Sequence, residues 1–331
     1  MKALIMAGGY ATRLWPITKD NPKALLPVGD RVILEYILEK VLELDVETYI
    51  STNRFFEAHF RPYAEKYGVG LIVEDTLHED EKLGTIGAMK RAVKELGLDD
   101  YLVIAGDNLF SFSLREFLGK YHGETLIAVY DVGDPELAKR YGVVILEGDR
   151  VVSFEEKPPI ARSTLVSTGV YVFPGEVMML IDEYLKNGNK DSPGYFLQWL
   201  LEKGKEIRAY SFSDYWYDIG SADSYLEALR TLLSGSHVEE IQIGPYAKII
   251  PPVVIKRGAK ILGRSIIGPY AYIGEECIIE NSDISDSIIF RKSIIRNSTI
   301  WRSIIDEKCE IRNLELRKSL IGGHAKIQRG E

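Results

Sequence analysis

The first two-thirds of the chain alternate short apolar runs with amphipathic ones. β-Branched runs predict strands, and apolar residues at helical spacing, such as Leu34, Ile37, Leu38 and Val41, predict helices. The predicted strands are 3–7, 48–52, 71–74, 101–105, 125–130, 143–146, 151–155, 166–173 and 207–212. The predicted helices are 33–44, 86–96, 177–186, 194–202 and 222–233. This alternation predicts an α/β domain at 1–233 with a mostly parallel sheet and helices on both faces.

After about residue 242 the helical period gives way to a repeat close to six residues. Isoleucine recurs at every sixth position from Ile243 to Ile279, and the step then varies between five and six until Ile327. A small residue stands two positions before most of these aliphatic residues. Such a repeat predicts a parallel β-helix of about five coils at 243–331, after a linker at 234–242. Cys277 and Cys309 fall at small inward positions, where we expect buried thiols.

Small and basic residues follow the first predicted strand. Gly8 and Gly9 let backbone N–H groups approach a phosphate chain without a Cβ in the way. Arg13 can then donate two hydrogen bonds to phosphate oxygens. Lys23 lies a little further on, in a segment that two prolines stiffen. An ordinary βα turn with a solvated Arg and Lys is one alternative, and a dinucleotide-binding loop is another, which the missing G-x-G-x-x-G spacing disfavours. The glycines together with both cations favour a triphosphate site.

Two acidic residues are candidates for holding a metal ion. Asp107 ends an apolar strand, at the edge of a parallel sheet where ligands bind. Asp218 lies between aromatic residues and a glycine. Taken singly, Asp107 also fits a helix N-cap and Asp218 a turn residue. Two carboxylates with triphosphate oxygens would suit Mg²⁺, which takes few protein ligands.

These segments together resemble a known family. Gly8–Pro16 with Pro22-Lys23 is similar to the signature of the sugar-phosphate nucleotidyltransferases. Within that family the chain as a whole resembles the glucose-1-phosphate thymidylyltransferases. The resemblance implies a Rossmann-like, mixed but mostly parallel catalytic sheet and a C-terminal left-handed β-helix. It also implies that Asp107 and Asp218 bind Mg²⁺. Ala11 stands where the signature usually has a third glycine, so we expect that this position does not need a positive φ angle.

The resemblance implies a role for each motif. Glu155-Glu156-Lys157-Pro158 is similar to the family's sugar-phosphate motif, in which the lysine holds the phosphate and the preceding glutamate accepts hydrogen bonds from sugar hydroxyls. The expected catalytic residues are Arg13, Lys23 and Lys157. The expected nucleotide-binding residues are Gly8, Gly9, Ala11, Thr12, Glu74, Gly84 and Thr85. The expected sugar-phosphate-binding residues are Gly142, Glu156, Lys157, Thr168 and Gly169.

Substrate identity is indicated less clearly. The run 83–88 resembles a pattern frequent in guanylyltransferases, and an acidic stretch that fits a solvated loop precedes it. The run 191–201 resembles a segment of the glucose-1-phosphate enzymes, although its aromatic residues also suit a helix core. We expect nucleotidyl transfer to glucose 1-phosphate from dTTP or UTP, with mannose-1-phosphate guanylyl transfer as the alternative. A non-catalytic regulatory or scaffold subunit is the alternative of another class.

Composition narrows the partners. The chain has 331 residues, two cysteines and a formal charge of -8, so a nucleic-acid partner or a disulfide framework is not expected. Without a signal-peptide core or an apolar run of membrane-spanning length, we expect a cytoplasmic protein with no membrane partner. The repeat has only one histidine and a short tail, which favours a structural role over acyl transfer. We therefore expect a homo-oligomer, with the β-helix as the candidate interface.

Overall fold

The computed structural model describes residues 1–329, and its contacts divide the chain into two compact units. The first unit contains Met1–Gly9 and Leu34–Asp218. The second contains Tyr10–Ile33 and the chain from Ile219 onward. The segment that carries Arg13 and Lys23 therefore packs with the C-terminal repeat. The boundary between domains at residues 233–243 stays a prediction.

A nine-stranded mixed sheet forms the centre of the first unit, in the order β5-β4-β1-β6-β11-β8-β12-β10-β9. The strands up to residue 218 are β1 (Lys2–Met6), β2 (Pro27–Val28), β3 (Arg31–Val32), β4 (Glu47–Asn53), β5 (Gly70–Glu74), β6 (Tyr101–Ala105), β7 (Asn108–Phe110), β8 (Thr125–Asp131), β9 (Gly142–Glu147), β10 (Arg150–Glu156), β11 (Leu165–Phe173), β12 (Ile207–Phe212) and β13 (Trp216–Asp218). β1, β4, β5 and β6 pair in parallel, as do β8 and β12, whereas β11 is antiparallel to both β6 and β8. The expected α/β class with a Rossmann-like core is confirmed.

The helices are α1 (Ile33–Leu42), α2 (Glu57–Tyr67), α3 (Gly84–Leu96), α4 (Leu114–Leu118), α5 (Pro135–Ala138), α6 (Gly175–Met178), α7 (Ile181–Tyr184), α8 (Pro193–Glu202) and α9 (Ala222–Leu232). Each predicted helix is present with somewhat different bounds, whereas α2, α4 and α5 were not predicted. The single helix expected at 177–186 is the two short helices α6 and α7. Helix α2 was not expected from the sequence, because it buries only Phe60 and Ala64 and has Pro62 in its interior. A narrow apolar stripe and an internal proline both weaken the helical signal.

The repeat forms three sheets of parallel strands, of six, six and five strands. The coil strands are β14 (His237–Val238), β15 (Gln242–Ile243), β16 (Lys248–Ile249), β17 (Val253–Ile255), β18 (Lys260–Leu262), β19 (Ile266–Ile267), β20 (Ala271–Ile273), β21 (Ile278–Glu280), β22 (Asp283–Ser285), β23 (Ser287–Ile289), β24 (Ile294–Arg296), β25 (Thr299–Trp301), β26 (Ile304–Ile305), β27 (Glu310–Arg312), β28 (Glu315–Arg317), β29 (Leu320–Ile321) and β30 (Lys326–Gln328). This arrangement is consistent with the left-handed β-helix that the resemblance implied. β14 already pairs with β17, so coil strands begin within the stretch expected as a linker.

The small inward residues of the repeat have a second role besides saving space. The Ser282 hydroxyl accepts a hydrogen bond from the backbone N–H of Ser298, 16 residues later, and donates one to the carbonyl of Glu280. Ser287 does the same with the N–H of Ser303 and the carbonyl of Ser285. Hydroxyls can therefore be buried in this core because both their hydrogen-bonding functions are satisfied. The sequence pattern of small residues is largely this serine ladder.

The two cysteines are buried and unbridged within the coil. Burial raises the pKa of the Cys277 thiol to about 12 and that of Cys309 to about 11. Thiols that stay protonated at neutral pH are poor nucleophiles, so both are core residues as expected. Across residues 1–329, no helix combines the length and the apolar character needed to cross a bilayer.

Candidate active site

Candidate residues of the first unit gather at one edge of its sheet. β1, β4, β5 and β6 run in parallel, so their carboxyl ends share that edge. Gly8 follows β1 closely, Glu74 ends β5, and Asp107 follows β6. This edge is where ligands bind in open α/β sheets.

A buried carboxylate lies beside the glycine pair. A Cβ placed on Gly8 would be 3.4 Å from Oε1 of Glu74, and nothing lies within 4 Å of a Cβ placed on Gly9. The Gly8 carbonyl accepts a hydrogen bond of 2.9 Å from Nδ2 of Asn53. Glu74 is only 4% exposed, and burial raises its pKa, although the backbone N–H of Leu83 donates to it at 3.4 Å. The loop after β1 is thus fixed on one side and open on the other.

The start of α3 is shaped by backbone packing. Gly84 has a φ of +75°, and a Cβ there would overlap the Lys190 carbonyl oxygen. The same oxygen accepts the N–H of Ile86 at 3.0 Å. Packing therefore accounts for the glycine at position 84. The nucleotide contacts expected of Gly84 and Thr85 stay predictions.

The two candidate metal ligands are neighbours. β7 and β13 pair antiparallel, and Asn108 lies opposite Asp218. Asp107 directly precedes Asn108, so it lies next to the residue that pairs with Asp218. The turn between β6 and β7 requires a glycine at position 106, since a Cβ there would lie 2.7 Å from the Met6 carbonyl oxygen. Both carboxylates are half-buried, at the ends of short strands.

A hydrogen-bonded chain orients the first of these carboxylates. The indole N–H of Trp216 donates to Oδ1 of Asn108 at 2.8 Å. Nδ2 of Asn108 in turn donates to Oδ1 of Asp107, also at 2.8 Å. Trp216 and Asn108 are both buried, and Trp216 packs edge-on against Tyr141, with ring centroids 4.9 Å apart. The orientation of Asp107 is therefore set by buried neighbours rather than by solvent.

The glutamate of the sugar-phosphate motif is held at the start of α8. The Glu156 side chain is 6% exposed, and the Ser192 hydroxyl donates to its Oε1 at 2.8 Å. Gly194 makes room for it, since a Cβ there would overlap Oε2. A Cβ on Gly142 would overlap Cζ of Phe154 and would also lie 3.0 Å from Oε2 of Glu156. Lys157 is 56% exposed, with Nζ 3.6 Å from Oε1 of Glu156. The motif thus has one fixed acid and one accessible cation.

β11 bulges where its candidate residues lie. The pairing of β11 with β8 shifts register between Ser167 and Tyr171. Gly169 has a φ of +78°, and a Cβ there would be 2.9 Å from Cβ of Ala105. The Thr168 hydroxyl donates to the Ala128 carbonyl at 3.0 Å and is buried. Bulges often redirect a strand beside a site. The Thr168 hydroxyl, however, is used in a hydrogen bond to the neighbouring strand β8.

The other candidates, Ala11, Thr12, Arg13 and Lys23, belong to the second unit. The expectation for Ala11 was wrong: its φ is +48° and its ψ is +42°, in the left-handed region. The Thr18 hydroxyl donates to the Ala11 carbonyl at 2.8 Å and helps to hold this conformation. Arg13 is exposed in the short 3₁₀ turn Thr12–Leu14, and Lys23 begins a second turn after Pro22.

Several residues of this site were not identified from the sequence. Asn108 and Trp216 orient Asp107, while Ser192 and Gly194 hold Glu156. Their positions beside recognised motifs were the only available signal, because Asn108 follows Asp107 directly and Trp216 precedes Asp218 by two residues. No local pattern predicts which remote side chain such a residue contacts.

Two models of known protein families match this chain. Residues 2–235 match the family model described as Nucleotidyl transferase, and residues 249–330 match the GMPPB C-terminal domain. The chain belongs to the nucleotidyl transferase family. The expected enzyme class, a nucleotidyltransferase with a C-terminal repeat domain, is thereby confirmed.

The relatives share a reaction type but differ in nucleotide. A UTP–glucose-1-phosphate uridylyltransferase of Synechocystis is 29% identical, over 86% of this chain and 82% of its own length. The mannose-1-phosphate guanylyltransferase catalytic subunit beta of Danio rerio is 28% identical, over 84% and 74%. A Bacillus anthracis structure, described as a glucose-1-phosphate thymidylyltransferase in complex with sucrose, has a TM-score of 0.59 and 26% identity, over 70% of this chain and 94% of that one.

Proposed function

We propose that this protein transfers a nucleotidyl group from a nucleoside triphosphate to a hexose 1-phosphate and releases pyrophosphate. The observation that carries the proposal is the pairing of β7 with β13, which brings Asp107 alongside Asp218 at the ligand-binding edge of the sheet. The fixed Glu156 and accessible Lys157 supply groups suited to a sugar and its phosphate. Membership of the nucleotidyl transferase family supports the same reaction.

The chemistry needs positioning and charge neutralisation more than a nucleophilic side chain. An oxygen of the sugar phosphate attacks the α-phosphorus, a new P–O bond forms, and the bond to the bridging α–β oxygen breaks with its electron pair leaving on pyrophosphate. The attacking oxygen is already anionic, so no general base is required. Lys157 would align the attacking phosphate, and Arg13 and Lys23 would neutralise the triphosphate.

The donor set at the strand ends fits a magnesium ion. Asp107 and Asp218 offer hard carboxylate oxygens on adjacent strands, and Mg²⁺ commonly uses one or two carboxylates together with substrate phosphates. In our proposal these two residues hold it. When bound, the ion would offset negative charge on the α- and β-phosphates.

The buried carboxylate of Glu74 favours a guanine donor. Guanine presents two adjacent hydrogen-bond donors, N1–H and N2–H₂, on its Watson–Crick edge, and a carboxylate accepts from both. Uracil and thymine present one N–H between two carbonyl oxygens, which a carboxylate repels. Glu74 lies beside Gly8 of the predicted phosphate loop and is almost fully buried. We therefore propose GTP as the preferred donor.

Mannose 1-phosphate is the acceptor that we pair with GTP. The match of residues 249–330 to the GMPPB C-terminal domain supports this pairing, as does the guanylyltransferase relative from Danio rerio. Glucose 1-phosphate with dTTP or UTP remains the second candidate because of relatives such as the uridylyltransferase of Synechocystis. The aromatic residues of α8 do not favour it, since Phe196 is fully buried in the core and Trp199 packs against that core.

A substrate matrix tests the proposal. GTP, UTP, dTTP, ATP and CTP are each combined with mannose 1-phosphate and glucose 1-phosphate in the presence of Mg²⁺, and pyrophosphate release is measured. We expect the highest kcat/KM for GTP with mannose 1-phosphate. A maximum with dTTP or UTP would transfer the assignment to the second candidate. Absence of release from every pair, in a folded protein, would contradict the reaction itself and favour a scaffold role.

A further inference from the structure

One outer face of the β-helix is apolar and covered. In the sheet that contains β17, β20, β23 and β26, the residue directly before each inward isoleucine points outward, because side chains alternate along a strand. These outward residues are Val254, Tyr272, Ile288 and Ile304, with exposures of 1%, 7%, 0% and 0%. Outward positions of the other two sheets include exposed polar residues such as Lys260 and Thr299. The outer face of the sheet with β17, β20, β23 and β26 is therefore a packing surface.

Ion pairs join helix α9 to the coil within the same unit. Arg230 donates to both carboxylate oxygens of Asp286 at 2.6 Å, and Asp286 is only 4% exposed. Arg302 of the coil reaches back to Glu227 at 2.8 Å and to Asp223 at 3.2 Å. A two-pronged Arg–carboxylate pair with a buried acid fixes geometry much better than an exposed pair does. α9 is thus held firmly on the coil.

Helix α9 in turn holds the end of the segment that carries Lys23. The hydroxyl of Tyr225, whose side chain is fully buried, donates to the Pro27 carbonyl at 2.6 Å. Just beyond, Nζ of Lys256 in the coil donates to the Asp30 carbonyl at 3.4 Å. The backbone after Lys23 is therefore anchored to the repeat through Tyr225 and Lys256.

The last layers of the coil hold the other end of the same segment. A Cβ placed on Gly322 would lie 2.6 Å from Cγ and 2.8 Å from Cβ of Pro16. Pro16 comes two residues after the turn Thr12–Leu14 that contains Arg13. A proline ring moves only with its backbone, so even one added methyl group at position 322 would have to shift this loop.

We propose that the β-helix is a positioning element for the nucleoside triphosphate site, acting through Gly322 on Pro16 and through Tyr225 on Pro27. The coil and α9 hold both ends of the segment 11–27, and so fix the backbone from which Arg13 and Lys23 project. The inference rests on the proposed function, which gives those two cations their ligand. It assigns the coil a part in nucleotide binding in addition to any part in assembly. Gly322 and Tyr225 act through the loop and are positioning residues.

Gly322→Ala in the full-length protein is the direct test. It should raise the KM for the nucleoside triphosphate that the wild-type protein uses about tenfold, because small displacements of phosphate-binding groups weaken their contacts strongly. The KM for the sugar 1-phosphate should stay within twofold of the wild-type value. Gly244→Ala is the matched control, since a Cβ there would meet its nearest atoms only at 3.4 Å. Tyr225→Phe removes the hydroxyl but keeps the buried ring, and should shift the same KM in the same direction.

The outcomes separate the inference from the proposed function. An unchanged nucleotide KM in both Gly322→Ala and Tyr225→Phe would overturn the inference while leaving the reaction intact. Equal rises of both KM values, or the same rise in Gly244→Ala, would indicate a general structural effect and would also overturn it. If the wild-type protein releases no pyrophosphate, the proposed function fails. Equilibrium binding of GTP and UTP to the wild-type protein and the three variants then tests the inference. Wild-type affinity in Gly322→Ala would overturn it, and so would the absence of binding to the wild-type protein.

Discussion

Trp216 donates its indole N–H to Oδ1 of Asn108 at 2.8 Å, and so determines that the amide nitrogen of Asn108 faces Asp107. Trp216→Phe keeps an aromatic ring in place but removes this donor. Partners that orient a metal-binding carboxylate typically contribute about 10-fold or more to metal affinity or activity. We expect the Mg²⁺ concentration for half-maximal pyrophosphate release to rise by about that factor.

Trp199→Phe provides the comparison, because Trp199 packs against the core from α8, with its ring beside those of Tyr184 and Phe196. Both variants should unfold within a few degrees of each other. An unchanged Mg²⁺ requirement in Trp216→Phe would show that Asn108 orients Asp107 without the hydrogen bond from Trp216.

Asp107→Asn should abolish activity with little effect on folding. Asp107 is half-buried at a strand end, and asparagine keeps its size while removing the charge suited to Mg²⁺. We expect kcat/KM to fall at least about 100-fold, which corresponds to about 2.7 kcal/mol. Asp283→Asn, at an exposed outward position of the coil, should retain full activity. Wild-type turnover in a folded Asp107→Asn protein would contradict the site assignment.

Ala11→Gly should stabilise the protein. Ala11 has a φ of +48°, where a Cβ destabilises the folded state by about 1 kcal/mol or more. Glycine relieves this strain, but it also makes the unfolded chain more flexible, which offsets part of the stabilisation. We expect the free energy of unfolding to increase by up to about 1 kcal/mol, measured by denaturant titration. Ala24→Gly is the control, because Ala24 lies in a 3₁₀ turn and has no positive φ. This variant should be less stable than the wild-type protein. A loss of stability in Ala11→Gly would be inconsistent with strain at this position.

Gly194→Ala should weaken binding of the sugar 1-phosphate selectively. A Cβ there overlaps Oε2 of Glu156 and must displace the carboxylate. Alanine is the better helix former by about 1 kcal/mol, so the first turn of α8 should not be lost. We expect a rise of about tenfold in KM for the sugar phosphate, and an unchanged nucleotide KM. Gly175→Ala, at the start of α6 with its nearest atom at 3.4 Å, should behave as wild type.

Glu74→Gln tests both base preference and electrostatics. Glutamine cannot accept from both guanine donors, so kcat/KM for GTP should fall about 10-fold or more relative to UTP, equivalent to at least about 1.4 kcal/mol. A GTP-to-UTP ratio equal to that of the wild type would remove Glu74 from base selection. Circular dichroism of the variant confirms that the fold is retained.

The same variant should change how stability depends on pH. Burial raises the pKa of Glu74 in the folded state above its ordinary value of 4.5. The folded protein therefore binds this proton more tightly than the unfolded chain, and Glu74 lowers stability progressively as pH rises from about 4.5 through the folded pKa. Glu74→Gln should gain stability relative to wild type over that window and show no such gain below it. Parallel curves from pH 4 to pH 8 would show that the pKa is not raised.

The sequence by itself determined the local structure and the kind of chemistry. β-Branched apolar runs, the helical period and the repeat of about six residues predicted the sheet, most helices and the coil, because each pattern reflects which side chains face an apolar core. The motifs around Gly8, Lys157 and Asp107 indicated a family because phosphate and metal ligands need particular residue types at strand ends. Each of these motifs spans only a few consecutive residues, so it can be read without a tertiary structure.

Only the tertiary structure decided how distant segments meet. It pairs Asp218 with Asn108, places Trp216 on an amide 108 residues away, and encloses Glu156 between Gly142 and Gly194. It also groups Tyr10–Ile33 with the coil and gives Ala11 a left-handed conformation that its sequence context did not predict. Strand register and packing across the chain set these relationships, and neither leaves a local pattern in the sequence.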